Sequence, residues 1–142
     1  MMKATVKWVE GMQFQGIADS GHPVVMDSSP TSGGKDAGVR PMELVLIALG
    51  GCTGMDVVSI LRKMRIEFDE FRIDIQAERA AEHPKVYRKI AMKYVIAGED
   101  IPEEKLLRAI RLSEERYCSI SAMLKKTSEL KPTQEIVRKR RL

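Results

Sequence analysis

Leu44-Val-Leu-Ile-Ala-Leu-Gly-Gly-Cys-Thr-Gly-Met55 is the stretch on which the fold turns. It carries no charge, follows Pro41, and continues as an amphipathic pattern through Arg62, Lys63 and Arg65. Proline fits the first turn of a helix, so the spacing predicts a helix from Pro41 to about Arg65. A helix that is apolar nearly all round must be packed on several sides. The 12-residue run falls short of the ~20 residues of a membrane span and reads as a buried segment. Gly50, Gly51 and Gly54 each weaken a helix interior by up to about 1 kcal/mol relative to alanine. Their cluster around Cys52 implies close approach of another backbone, a packed helix or a substrate.

On either side the pattern changes to strands. Val6 and Trp8 alternate with Lys7, and Met12 and Phe14 with Gln13 and Gln15. Glu10-Gly11 suits the hairpin turn between them. A short strand is predicted over 22–26, and residues 28–40 form a flexible loop rich in Ser, Gly and Pro. Phe71, Ile73, Ile75 and Ala77 alternate with polar residues, as a strand with one wet face does. Its antiparallel partner is predicted over 86–97, with Ile90, Met92, Tyr94 and Ile96 on one face. Asp100 and Glu103 read as a capping box, opening a helix that runs to about Cys118 with Leu106, Leu107, Ile110 and Tyr117 inward. A shorter helix carries Ile120, Met123 and Leu124, and a last strand is predicted over 134–140. The order β-β-β-α-β-β-α-α-β lacks βαβ alternation and implies an α+β fold with antiparallel sheet. At 142 residues the chain is expected to be one domain, 1–142, with a basic tail at 138–142.

Composition removes several function classes. Net charge is +4, but the basic excess sits at Arg138-Lys-Arg-Arg141, without interleaved aromatics, so nucleic-acid binding is not indicated. The N-terminus lacks the apolar core of a signal peptide, making the cytoplasm the expected compartment. The absence of asparagine, with abundant Lys, Glu and Arg, hints at a thermophilic source. Ser32-Gly-Gly-Lys-Asp36 lacks the spacing of a phosphate loop. His22 and His83 precede prolines in turn-like sequence and have no ligand spacing around them, so no metal is expected. Nor does either offer an evident base for a Ser or Cys hydrolase.

Cys52 and Cys118 are the only two cysteines. They belong to no CxxC pair. In a reducing compartment they are free thiols, either a redox pair or two inert core residues. Reactivity needs thiolate, and Asp56, one helical turn beyond Cys52, opposes it.

The stretch Gly38-Val-Arg-Pro-Met-Glu-Leu-Val-Leu-Ile-Ala-Leu-Gly-Gly-Cys-Thr-Gly-Met-Asp56, with Tyr117-Cys-Ser-Ile-Ser121 as a second motif, resembles the OsmC/Ohr family of osmotically inducible and organic-hydroperoxide-resistance proteins. The resemblance implies antiparallel sheets packed around long central helices in an intertwined homodimer. It also implies a thiol peroxidase that reduces organic hydroperoxides to alcohols. Cys52 would be peroxidatic and Cys118 resolving, with a lipoyl-type dithiol as reductant and no bound cofactor, metal or membrane. The peroxidase branches pair the reactive cysteine with an Arg from the N-terminal strands and a Glu after the helix-opening Pro. Here residues 1–39 hold no Arg and Met42 takes the Glu position, leaving Arg40 and Glu43 as the candidate supporting residues. Nine helical steps of about 100° put Glu43 on the face opposite Cys52, about 13 Å along the axis. The sequence is thus closer to the OsmC-like branch than to the peroxidases. The alternative is a dimer without peroxidase activity that binds or senses a small apolar thiol-reactive ligand.

Overall fold

A computed structural model describes residues 1–140 of the chain. The chain divides into two compact units, Met1–Ile47 and Ala48–Leu142.

The first unit is built on an antiparallel sheet of β1 (Ala4–Glu10), β2 (Gln13–Ala18) and β3 (Val24–Met26), in that order. Gly11, with φ +52°, makes the predicted tight turn between β1 and β2. The segment after β3 is tied down rather than loose. The buried Asp27 carboxylate accepts backbone N–H bonds from Ser28, Lys35 and Ala37 at 2.8, 3.1 and 3.1 Å. Burial works against its ionisation, but these three bonds, helped by Arg40, prevail and hold the Asp27 pKa below its ordinary value. A short 3₁₀ turn, Pro30–Ser32, lies inside this segment. Val39 then returns to β3, exchanging backbone bonds with Val25 and Asp27. Gly38 sits so close that a Cβ there would lie 2.5 Å from the Val25 carbonyl oxygen. The sheet leaves large apolar side chains outside, Val6, Trp8, Phe14 and Ile17 among them.

Helix α1 (Pro41–Lys63) opens at Pro41, as expected. It ends in a Schellman arrangement, with Ile66 N–H on the Leu61 carbonyl, Arg65 N–H on that of Arg62, and Arg65 at φ +58°. At 23 residues it is long and apolar enough to cross a membrane, by length and composition alone, which corrects the estimate from the 12-residue run. Within the second unit it is a packed helix. Leu49, Thr53, Val57 and Leu61 form a buried i, i+4 row. Fully burying each aliphatic member contributes about 1.5–3 kcal/mol. Two of the three glycines explain the close approach. A Cβ at Gly50 would lie 3.1 Å from Ile75 Cδ1, and one at Gly54 would lie 3.6 Å from Ile73 Cδ1. Both contacts fall on the inward face of β4 (Glu70–Arg79), whose alternation is as predicted. Gly51 faces open space. The helix is not buried all round: Met55 is 77% exposed.

The second sheet runs β4–β5–β6, with β5 (Tyr87–Gly98) central. Strands β4 and β5 pair antiparallel from Glu70↔Ala97 to Arg79↔Tyr87. Strand β6 (Glu129–Arg138) starts earlier than predicted and lies parallel to β5, from Lys89↔Glu129 to Gly98↔Arg138. The expectation of purely antiparallel sheet fails at this one pair. A helical crossover joins β5 to β6, and a parallel pair requires such a crossover. Pro132 is tolerated because β6 is an edge strand.

The crossover itself differs in detail from expectation. Helix α2 spans Glu103–Leu112, and its N-cap is Pro102 with no side-chain cap bond, so the Asp100–Glu103 capping box does not form. A π-helical turn, Ser113–Tyr117, follows. Tyr117 and Met123 point outward rather than into the core. Of the basic tail, Arg138 ends β6 and Lys139 pairs with Glu70 at 2.8 Å. Residues 141 and 142 lie outside the described residues.

Candidate functional site

The two cysteines come together. Cys52 is a partly exposed residue of α1, and Cys118 is the N-cap of α3 (Ser119–Leu124). Their sulfurs and a carboxylate oxygen of Asp56 all lie within 4.8 Å of one another. Cys52 and Asp56 share one face of α1 through their i, i+4 spacing. Cys118 is delivered from the crossover by the π-helical turn, whose closing bond runs from Cys118 N–H to the Ser113 carbonyl at 2.7 Å. Single π turns inside helices commonly mark functional positions. Both thiols are free; Cys118 is buried and Cys52 partly so.

Polar neighbours fix these groups. Ser121 N–H donates to Cys118 Sγ at 3.3 Å. Ser113, fully buried, donates its hydroxyl to Asp56 Oδ2 at 2.9 Å. Thr53 returns its hydroxyl to the Leu49 carbonyl at 3.0 Å. Burial pushes the Cys52 thiol up, and the Cys118 thiol pushes it further. The Ile120 backbone N–H pulls it down, and the Asp56 carboxylate adds to the rise. None of the main groups acting on Cys52 is a cation.

Behind the thiols stands a second polar group. Tyr94 is fully buried, and burial raises its phenol strongly; the Thr53 hydroxyl works against the rise, and Glu114 and Cys118 add to it. Burial likewise raises the Glu114 carboxyl, with Lys125 pulling the other way. The Tyr94 hydroxyl and Glu114 Oε1 are enclosed and make no hydrogen bond of standard geometry among the described residues.

Arg40 and Glu43 lie in the first unit. Arg40 pairs with Asp36 at 2.6 Å and donates to the Gly38 carbonyl at 3.2 Å. Glu43 accepts the Arg40 backbone N–H at 2.8 Å, a use that fits the unsatisfied N–H groups of a helix start. Each therefore has a structural partner close by in sequence. The motif reading located Cys52, Cys118 and Asp56, but Ser113, Thr53 and Tyr94 carry no signal of a site. Ser113 is an isolated serine in an amphipathic helix, and Tyr94 reads as an ordinary strand residue.

Two free thiols and a carboxylate thus meet between a long helix and a helical crossover on an α+β scaffold. The model of the OsmC-like protein family matches residues 33–133. Protein YhfA of Escherichia coli K12 is 40% identical over 136 residues, covering 96% of this chain and 98% of its own. The chain belongs to the OsmC-like family. A hypothetical protein from Aquifex aeolicus is 32% identical, with a TM-score of 0.87 over 99% of this chain and 98% of its own. An organic hydroperoxide resistance protein OsmC from Legionella pneumophila shares the fold at 12% identity, with a TM-score of 0.71 over 95% of this chain and 96% of its own.

Proposed function

We propose that the protein is a two-cysteine thiol peroxidase acting on organic hydroperoxides. The observation that carries the proposal is the meeting of the Cys52 and Cys118 sulfurs within 4.8 Å. The Cys52 thiolate attacks the peroxide oxygen, the O–O bond breaks, and the alkoxide takes a proton to leave as an alcohol. Cys52 is then a sulfenic acid. The Cys118 thiol attacks that sulfur, water leaves, and a disulfide forms. The bond to be formed is about 2.05 Å long, so the two sulfurs, now within 4.8 Å, must close on one another. A lipoyl-type dithiol restores both thiols by exchange and is itself oxidised to its disulfide. Such a cycle suits a reducing compartment, the cytoplasm.

The same proposal includes a homodimer. Its support is the apolar surface left outside: Trp8 at 60%, Ile47 at 57% and Met55 at 77% exposure. A partner's cation near Cys52 would supply what the groups around it lack. One observation favours a second reading. Burial, Cys118 and Asp56 all hold Cys52 in its neutral thiol form, which fits a dimer that binds or senses a small thiol-reactive apolar ligand without turnover.

The test is consumption of cumene hydroperoxide by metal-free protein with dihydrolipoamide, beside Cys52→Ser and Cys118→Ser. Turnover abolished by Cys52→Ser, and stalled after one cycle in Cys118→Ser, is expected of the peroxidase. Equal rates in all three, or none in any, would overturn it in favour of the second reading.

A further inference from the structure

We infer that the reduced protein binds one Zn²⁺ ion through Cys52 Sγ, Cys118 Sγ and an Asp56 carboxylate oxygen. No histidine takes part, which is why the sequence alone suggests no metal. The ligand set exists only once the crossover brings Cys118 to the Cys52–Asp56 face of α1. Two thiolates with one carboxylate suit Zn²⁺ over the hard cations Mg²⁺ and Ca²⁺, which take oxygen ligands. Tetrahedral Zn²⁺ with Zn–S of about 2.3 Å and Zn–O of about 2.0–2.2 Å places its ligand atoms roughly 3.5–3.8 Å apart. The three atoms here, within 4.8 Å of one another, need close by no more than about an ångström.

The surroundings are those of a supported ligand set. Ser113 orients the Asp56 carboxylate through its hydroxyl at 2.9 Å. Ser121 N–H donates to Cys118 Sγ at 3.3 Å, which compensates negative charge on sulfur. Three protein ligands leave the fourth tetrahedral position for water or a substrate atom, as in open zinc sites. The partial exposure of Cys52 gives the ion a way in. The inference needs only that both thiols be reduced; it does not require peroxidase activity.

The experiment is a Zn²⁺ titration of reduced, chelator-treated protein against a chromophoric competitor, repeated with Co²⁺ for its absorption spectrum. One equivalent should bind. Cys52→Ser, Cys118→Ser and Asp56→Ala should each weaken binding at least about 100-fold, beyond the roughly 10- to 100-fold typical of an outer contact. The Co²⁺ form should show thiolate-to-cobalt charge transfer and the strong visible bands of a four-coordinate ion. Wild-type protein oxidised to its disulfide should lose the site, a control that requires no variant to fold. Unchanged affinity in Cys52→Ser, retention by the oxidised protein, or a Co²⁺ spectrum without charge transfer would overturn the inference. Hydroperoxide turnover of metal-free protein is read separately, so turnover without zinc binding defeats only the metal site. Zinc binding without turnover defeats only the peroxidase.

Discussion

Replacing Asp56 by asparagine should make Cys52 more reactive, and the structure sets the size of the effect. The Asp56 carboxylate lies no more than 4.8 Å from the Cys52 sulfur. A unit charge at that distance opposes thiolate formation by about 0.9 kcal/mol if screened as in water, and by about 3.5 kcal/mol at an effective dielectric of 20. Cys52 is partly exposed, and Asp56 is the smallest of the influences that raise its thiol, so the lower figure applies. That corresponds to roughly a fourfold larger thiolate population at neutral pH. Asparagine keeps an oxygen to accept the Ser113 hydroxyl, so packing is retained while the charge goes. The assay is iodoacetamide alkylation in the presence of a chelator, with the Cys52 and Cys118 peptides resolved by mass spectrometry. Cys52 alkylation should rise about fourfold and Cys118 alkylation far less. An unchanged or slower rate at Cys52 would refute the assignment of Asp56 as a brake on the thiolate.

Three further outcomes are expected. Gly38→Ala should destabilise the first unit by about 1–3 kcal/mol, because its Cβ would meet the Val25 carbonyl at 2.5 Å and backbone must shift; urea unfolding measures it, and a change under ~0.5 kcal/mol would contradict the tight approach. The Glu114 carboxyl is raised by burial, so its contribution to stability is whole below its ordinary value of 4.5 and is lost as pH rises through the folded value. Urea midpoints of wild type should therefore fall as pH rises above 4.5, and Glu114→Gln should flatten that limb. Met55→Glu should convert a dimer to monomer in sedimentation, since it charges the most exposed apolar side chain of α1; a monomeric wild type would remove the basis for the assembly.

The sequence made legible what depends on local periodicity. The alternation of Phe71, Ile73, Ile75 and Ala77 against polar residues specified β4 and its wet face. The Pro41 start of α1, the Gly11 turn and the contrast between helical and strand regions are likewise local. Properties decided by distant partners were not. Strand β6 reads as a polar–apolar alternation whichever way it points, and only the length of the crossover hints that it returns parallel to β5. The 28–40 segment reads as a loop from its Ser, Gly and Pro content. Its ties to Asp27 depend on three backbone N–H groups, which composition cannot show. At the site, Cys52 and Asp56 were visible as helix neighbours. Their meeting with Cys118 and Ser113 spans two elements and depends on the π-helical turn that redirects the chain before Cys118. Resemblance supplied the pairing of the cysteines that spacing alone left open.

The parallel return of β6 also bears on the order in which the second unit is assembled. Partners such as Lys89 and Glu129 are separated by the whole crossover, so their pairing requires closure of a long loop, which is slow compared with hairpin formation. Cys118 rides on that loop. During synthesis Cys52 emerges early and can settle against the β4–β5 hairpin, which closes through near neighbours in the chain. Its sulfur has no companion until Cys118 and the π-helical turn before it have been made. The thiol pair thus belongs to the long-range, slowly formed part of the fold, since β4, β5 and α2 all lie between its two members in the chain.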